Sequence, residues 1–233
     1  MNKIHIYDNI GFEGITAKDV ADELANLDGG AIEVHINSGG GSVSQGIAIY
    51  NQLKAYTGKV TVHVDGLAAS IASVIAMAAD ELIMAEGSLM MIHSAWSMVA
   101  GNAEDLRKEA EVLDVHDKTI REIYGHRTER SDEVIEEMML NETWMDGSEA
   151  ILFGFADSLG GELRAAASVD FSKFNKAPER IQSLLKTLSE VTDAVKAEEA
   201  DETPQKQDDD VADCLAAKRA SLAVMEKLGE LSL

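Results

Sequence analysis

The sequence predicts an α/β fold built on a largely parallel sheet. Over residues 1–164, short aliphatic runs alternate with segments of helical periodicity, the order that winds helices around parallel strands. Apolar residues make up 45% of the chain and aromatics only 5%. That supply of Ala, Ile, Leu, Val and Met suits helices packed on a sheet better than an aromatic-rich sandwich. Glycines fall where strands hand over to helices, at Gly39–Gly41 and at Gly66, where the backbone must turn sharply.

Lys3–Tyr7 reads as a first short strand. Thr16 caps a helix over Ala17–Leu27, with acids in its early turns, where they complement the helix dipole. Ala31–Ile36 is a strand that runs into Asn-Ser-Gly-Gly-Gly, and Ser44–Ala55 is the next helix. Val60–Val64 is a strand followed, through Gly66, by a small-residue helix over Ala68–Ala79. Leu82–Met84 and Leu89–Ile92 are short apolar strands. A long amphipathic helix spans Ala103–Tyr124, with Leu106, Ala110, Leu113, Ile120 and Ile123 apolar. Ser131 caps a helix over Asp132–Leu140, and a last one covers Ser148–Leu152.

Composition changes near residue 165. Both prolines, Pro178 and Pro204, lie beyond it, and Glu190 to Asp213 hold ten acids against two lysines. Such a segment cannot bury enough apolar surface to offset its ordering entropy, so it reads as a linker. Residues 178–195 and 211–231 carry helical periodicity on either side. The expected division is a folded domain over 1–164 and an acidic, partly helical or disordered tail over 165–233.

The formal charge is −22, and residues 1–164 hold 28 acids against 11 bases. That excess argues against nucleic acid as a ligand, because phosphate binding rests on Lys and Arg. The only cysteine is Cys214, which forbids an internal disulfide and points to a reducing compartment. No long apolar stretch follows the N-terminus, and the longest, Leu67–Ala79, is too short to span a bilayer. No membrane association is expected.

Three segments carry chemistry. Asn37-Ser38-Gly39-Gly40-Gly41-Ser42-Val43 lets backbone amides approach a ligand. It lacks the Lys-Ser/Thr of a phosphate loop, which leaves either a tight turn or an amide donor to an oxyanion. In Gly66-Leu67-Ala68-Ala69-Ser70-Ile71-Ala72-Ser73, Ser70 falls near a helix N-terminus, where free amides favour developing negative charge. An ordinary Ala/Ser packing helix fits that segment equally. His93 closes the strand Leu89-Met90-Met91-Ile92. His35 and His63 sit among apolar neighbours and read as residues of a sheet face. No pair of the six histidines has zinc-protease spacing or cysteine neighbours, so no metal or other cofactor is expected.

Taken in order, these segments resemble the Clp protease proteolytic subunit family, whose fold is shared with the crotonases. A Gly-rich turn, Gly-x-Ala-Ala-Ser, Met-Ile-His and a later Ala-x-x-Phe-Gly-Phe-x-Asp segment (Ala150–Asp157) all occur here. The resemblance runs from about Ile4 to Leu159. It implies acyl transfer with Ser70 as nucleophile, His93 as base and Glu142 as the acid, since Glu142 precedes Trp144-Met145. The rival acid, Asp146, aligns with a helix cap. The resemblance further implies an oxyanion hole from the amides of Gly41 and Ile71. An extended substrate would lie along Gly40, Ser42 and Val43 on one side and a strand beginning at Ser94 and Ala95 on the other. Two departures stand out: glutamate replaces the family's aspartate at 142, and Gly39 replaces a proline, which loosens the turn.

The resemblance also implies a homo-oligomer of seven-membered rings stacked in pairs, interlocked by the long helix, and an unfoldase ATPase partner. Met1–His5 leaves little chain ahead of the first strand for such a partner. The wording around Gly11–Asp19 and Glu142–Met145 looks like the Clp-related head maturation proteases of tailed bacteriophages. That would make capsid or scaffold protein the substrate and place the protein in bacterial cytoplasm, inside the prohead of an infected cell, with the tail as a scaffold-like delivery segment. Two alternatives compete. A crotonase-type acyl-CoA enzyme has no use for Ser70 and His93 together, and a ring-forming scaffold with a decayed site rests on Glu142 and Gly39 alone.

Overall fold

A computed structural model describes residues 2–12 and 14–160. The helices expected at 178–195 and 211–231, and the acidic stretch between them, lie outside the described residues. Strands β1 (Asn2–Ile6), β2 (Ile32–Ser38), β3 (Val60–Ala69), β4 (Glu81–Ala85) and β7 (Ser158–Gly160) hydrogen-bond in the order β1-β2-β3-β4-β7. Strand β5 (Leu89–Ile92) adds to the upper part of β3, and β6 (Thr143–Asp146) adds to β5. Every pairing is parallel except β5 with β6.

The two-residue period of the strands decides which face meets the helices. Ile4, Ile6, Val34, Ile36, Val62 and Val64 are buried in one core. Each such side chain contributes about 1.5–3 kcal/mol on burial. Lys3, His5, Glu33, His35, Thr61 and His63 alternate with them and occupy the opposite face. Helix α1 (Ala17–Ala25) starts at Thr16, which forms a reciprocal capping box with Asp19, so two otherwise orphan amides are satisfied. Helix α2 (Val43–Ala55) buries Gly46, Ile49 and Leu53.

The helix expected over Ala68–Ala79 is much shorter. Strand β3 continues to Ala69, and α3 is only Ile71–Ala76. Alanine and serine favour helix locally, but Leu67, Ala68 and Ala69 find ladder partners in Leu89, Met90 and Met91. Tertiary pairing overrides propensity here. Strands β6 and β7 were not expected at all. The long helix α4 runs further than its sequence pattern implied, over Ala103–Thr128. Its only buried residues are Ile120, Ile123 and Tyr124 near the C-terminal end, while Leu106, Val112 and Val115 are exposed. Helices α5 (Asp132–Leu140) and α6 (Gly147–Leu152) complete the described residues. None of the described helices is long and apolar enough to cross a membrane.

Helix α2 meets α3 at a point that admits no side chain. A Cβ on Gly46 would lie 2.2 Å from Cγ1 and 3.3 Å from Cβ of Ile71. We predict that Gly46→Ala displaces Ile71 and costs about 1–3 kcal/mol, measured as a lowered thermal midpoint. An unchanged midpoint would mean that α2 and α3 separate without cost.

Candidate active site

The carboxyl ends of β2, β3 and β5 converge, as ligand sites do in open parallel sheets. Ala69 pairs with Met91, and the Ser70 amide donates to the Met91 carbonyl at 2.9 Å. Ser70 is therefore the first residue past the end of β3, and His93 the first past the end of β5. The Ser70 hydroxyl lies 2.7 Å from His93 Nε2, within the range for proton transfer from a nucleophile to its base. Strand β6 runs antiparallel to β5, with Met91 opposite Trp144 and Ile92 opposite Thr143. One further step of this register sets Glu142 opposite His93. Asp146 lies at the far end of the strand, opposite Leu89, and caps α6. Glu142 Oε1 accepts from the Trp144 indole at 3.2 Å.

Both Ser70 and Glu142 hold backbone conformations that ordinary residues avoid. Ser70 has φ 55° and ψ −129°, and Glu142 has φ 50°. Such positions cost of order 1–3 kcal/mol and persist only where their surroundings impose them. At Ser70 the strand must stop and a helix begin within one residue, which turns the hydroxyl out of the sheet.

Burial pushes the His93 pKa below the ordinary imidazole value, while the charges of Glu142 and, to a lesser degree, Asp117 oppose that shift. The imidazole is thus neutral near pH 7 and able to accept a proton. Asp117, on α4, also accepts from the Ala95 amide at 2.6 Å, tying the segment after His93 to the long helix.

The Gly-rich turn lies directly over Ser70. A Cβ on Gly40 would come within 2.7 Å of Ser70 Cβ, so only glycine permits this approach. The Gly40 carbonyl accepts from the Ile10 amide at 2.9 Å, and the Ser42 amide donates to the Ile10 carbonyl at 2.7 Å. The Gly40–Gly41 peptide thus has its carbonyl on Ile10, which turns the Gly41 N–H the opposite way. Ile71 is the first residue of α3, where a helix leaves its amides without intrahelical acceptors. The turn lacks proline at Gly39, yet Ser38 ties it down. Its hydroxyl donates to the Asp8 carbonyl at 2.6 Å and accepts from the Gly40 amide at 3.2 Å.

The expected substrate strands differ from expectation. Val43 begins α2 and packs against the core, and Ser42 is that helix's cap. Ser94 and Ala95 open a stretch, 93–100, without regular secondary structure. Only Gly40–Ser42 keeps extended pairing, through a bridge between Ile10 and Gly41.

The support beneath Ser70 is not announced by any motif in the sequence. Ser73, fully buried, has its hydroxyl 2.5 Å from the Ser70 carbonyl, 3.0 Å from the Met91 carbonyl and 2.8 Å from the Tyr124 hydroxyl. Burial raises the Tyr124 pKa well above the phenol range, so the hydroxyl stays protonated. The position of Ser73, one helical turn after Ser70, was the available signal.

The Clp protease family profile matches residues 2–162. The chain is 37% identical over 158 residues to the ATP-dependent Clp protease proteolytic subunit 1 of Chlamydia abortus, covering 63% of this chain and 82% of that one. The corresponding Chlamydia muridarum subunit is 34% identical, with coverage of 63% and 82%. A solved structure of a ClpP1 mutant from Listeria monocytogenes superposes with a TM-score of 0.62 at 26% identity, covering 69% of this chain and 91% of that chain. A parallel α/β sheet with a serine–histidine pair at its carboxyl edge defines a serine hydrolase. The chain belongs to the Clp protease family and is a serine peptidase of that family.

The pKa of His93 yields a test of Glu142. A base must be neutral to act, so activity rises with pH through the His93 pKa. Glu142→Gln removes the larger of the two influences that raise that pKa. We predict that the acid limb of the kcat/KM profile moves to lower pH while the plateau falls about 10²–10⁴-fold. A limb that stays in place would transfer the orienting role to another group.

Proposed function

We propose that this chain is an endopeptidase that acts through Ser70, His93 and Glu142. The observation that carries the reading is the 2.7 Å contact from the strained Ser70 to His93 Nε2, with Glu142 set opposite His93 by the β5–β6 register. The Ser70 oxygen attacks the scissile carbonyl while its proton passes to His93. Glu142 stabilises the imidazolium that results. The oxyanion falls between the amides of Gly41 and Ile71, each worth roughly 10²–10³ in rate. The tetrahedral intermediate collapses as His93 returns the proton to the leaving amine. Water then repeats the cycle on the acyl-enzyme. An extended peptide is held by backbone bonds along Gly40–Ser42 and by Ser94 and Ala95.

The working form is a ring-shaped oligomer, with sevenfold rings stacked in pairs as the family resemblance implies. Support comes from α4, whose N-terminal turns carry exposed Leu106, Val112 and Val115, and from Trp96, Met98 and Val99 on the neighbouring segment, with Met98 90% exposed. Six exposed apolar side chains on two successive segments are the kind of surface that association covers. The substrate is a capsid or scaffold protein processed during phage head maturation, on the strength of the phrases at 11–19 and 142–145, and the peptidase domain spans 1–164. Partnership with an unfoldase ATPase is the second reading, in keeping with relatives named as subunits of an ATP-dependent protease.

Three outcomes are predicted. A fluorophosphonate probe labels wild type and not Ser70→Ala; a folded wild type without label overturns the peptidase reading. Ser70→Gly, equally inactive, melts about 2–4 °C above Ser70→Ala, because glycine relieves roughly 1 kcal/mol of strain at φ 55°. Co-expression with a tailed-phage capsid protein and its scaffold protein gives discrete, Ser70-dependent fragments without added ATPase. Degradation that requires an unfoldase selects the second reading instead.

A further inference from the structure

The sheet face turned away from the helices carries an unusual polar group. His5, His35 and His63 are direct partners across β1, β2 and β3. Their rings stack at centroid distances of 5.3 and 4.8 Å. Glu33 precedes His35 by two residues and so shares its face. Donor atoms of Glu33, His35 and His63 all lie within 4.8 Å of one another.

From these contacts we propose that Glu33, His35 and His63 form a binding site for a divalent transition ion of the zinc class, one that clamps β2 to β3. The ligand set is two imidazoles and a carboxylate, which suits zinc. Two ligands at i and i+2 on one strand and a third on its neighbour converge on one side of the sheet without any loop.

The hydrogen bonding of His35 is already that of a ligand. Its Nδ1 lies 2.7 Å from Asp65 Oδ2, and a carboxylate fixes a proton there. Tyr7 donates to the same oxygen. That leaves Nε2 as the nitrogen with the free pair. Nε2 makes no hydrogen bond although His35 is only 4% exposed, and Glu33 Oε2 lies 3.6 Å from it. An outer carboxylate that orients a histidine in this way is a usual companion of metal ligands. Lys3 Nζ, 2.9 Å from Glu33 Oε2, is the cation that now occupies the carboxylate and the one an ion would displace. Tetrahedral ligation needs donor atoms about 3.4 Å apart. Glu33 and His63, both half-buried, are the side chains that have to move to reach that spacing.

The site is independent of the peptidase chemistry, so its test does not depend on turnover. The full chain is titrated with zinc chloride by isothermal calorimetry, with circular dichroism confirming that each variant is folded. Wild type is expected to take one ion per chain and to melt at a higher temperature with zinc. His63→Ala loses both effects, and exposed His126→Ala retains both. Asp65→Asn, which removes only the outer carboxylate, weakens binding about 10–100-fold. No zinc uptake by wild type, or equal uptake by wild type and a folded His63→Ala, overturns the proposal.

Discussion

Pairing of Ala69 with Met91, and of Ile92 with Thr143, leaves Ser70 and His93 just past the ends of β3 and β5, and Glu142 just ahead of the start of β6. No loop has to search for this arrangement, because backbone ladders already hold each residue beside the next. A slip of β5 by one residue against either neighbour would reverse which of its side chains face the site. The buried run Leu89, Met90, Met91 and Ile92 guards against this less well than an alternating strand would, since both of its faces are apolar. Register is therefore fixed from outside. The Met91 carbonyl accepts from Ser70 and Ser73, and Asp146 anchors the far end of β6 as the cap of α6.

That ladder also accounts for the strain. Strand β3 must remain a strand through Ala69 to meet β5, yet α3 begins at Ile71. One residue is left to reverse the chain, and it is the serine. Gly40 then approaches so closely that its missing Cβ and the out-turned Ser70 form two halves of one fit. Glycine would relax both Ser70 and Glu142. Two non-glycine residues at positive φ in one place are held there by their surroundings, and stability elsewhere in the fold carries the cost.

Much of this was legible in the sequence, and the misses share a cause. Thr16 and Asp19 announced the start of α1 because a capping box is a local device. Ser70, His93 and Glu142 stand out in the sequence only as an ordered set, since each alone reads as a packing residue. The extent of β3, and strands β6 and β7, were not legible. Four- and three-residue strands show no periodicity, and Gly66–Ala69 chooses strand over helix only because β5 lies alongside. Val43 and the stretch after His93 differ for the opposite reason, as extended strand was expected where Val43 opens α2 and residues 93–100 take no regular secondary structure. The histidine row is the extreme case. Three isolated histidines, some thirty residues apart, become neighbours only through a parallel register that no local pattern encodes.

The same two strands serve both faces of the molecule. On the helix side, β2 and β3 contribute Val34, Ile36, Val62 and Val64 to the core; at their ends they present Gly40, Gly41 and Ser70. On the opposite side they carry Glu33, His35, His63 and Asp65. Between Ile36 and Ser38 the pairing shifts register by two residues, so β3 bends just below Ser70. A bend in a central strand loses ladder bonds and concentrates twist. The polar row lies immediately below that bend. Tyr7, Asp65 and His35 form a hydrogen-bonded chain across three strands at the level where the backbone ladder weakens. Side-chain bonds there hold β2 against β3, and with them the distance between the Gly-rich turn and Ser70.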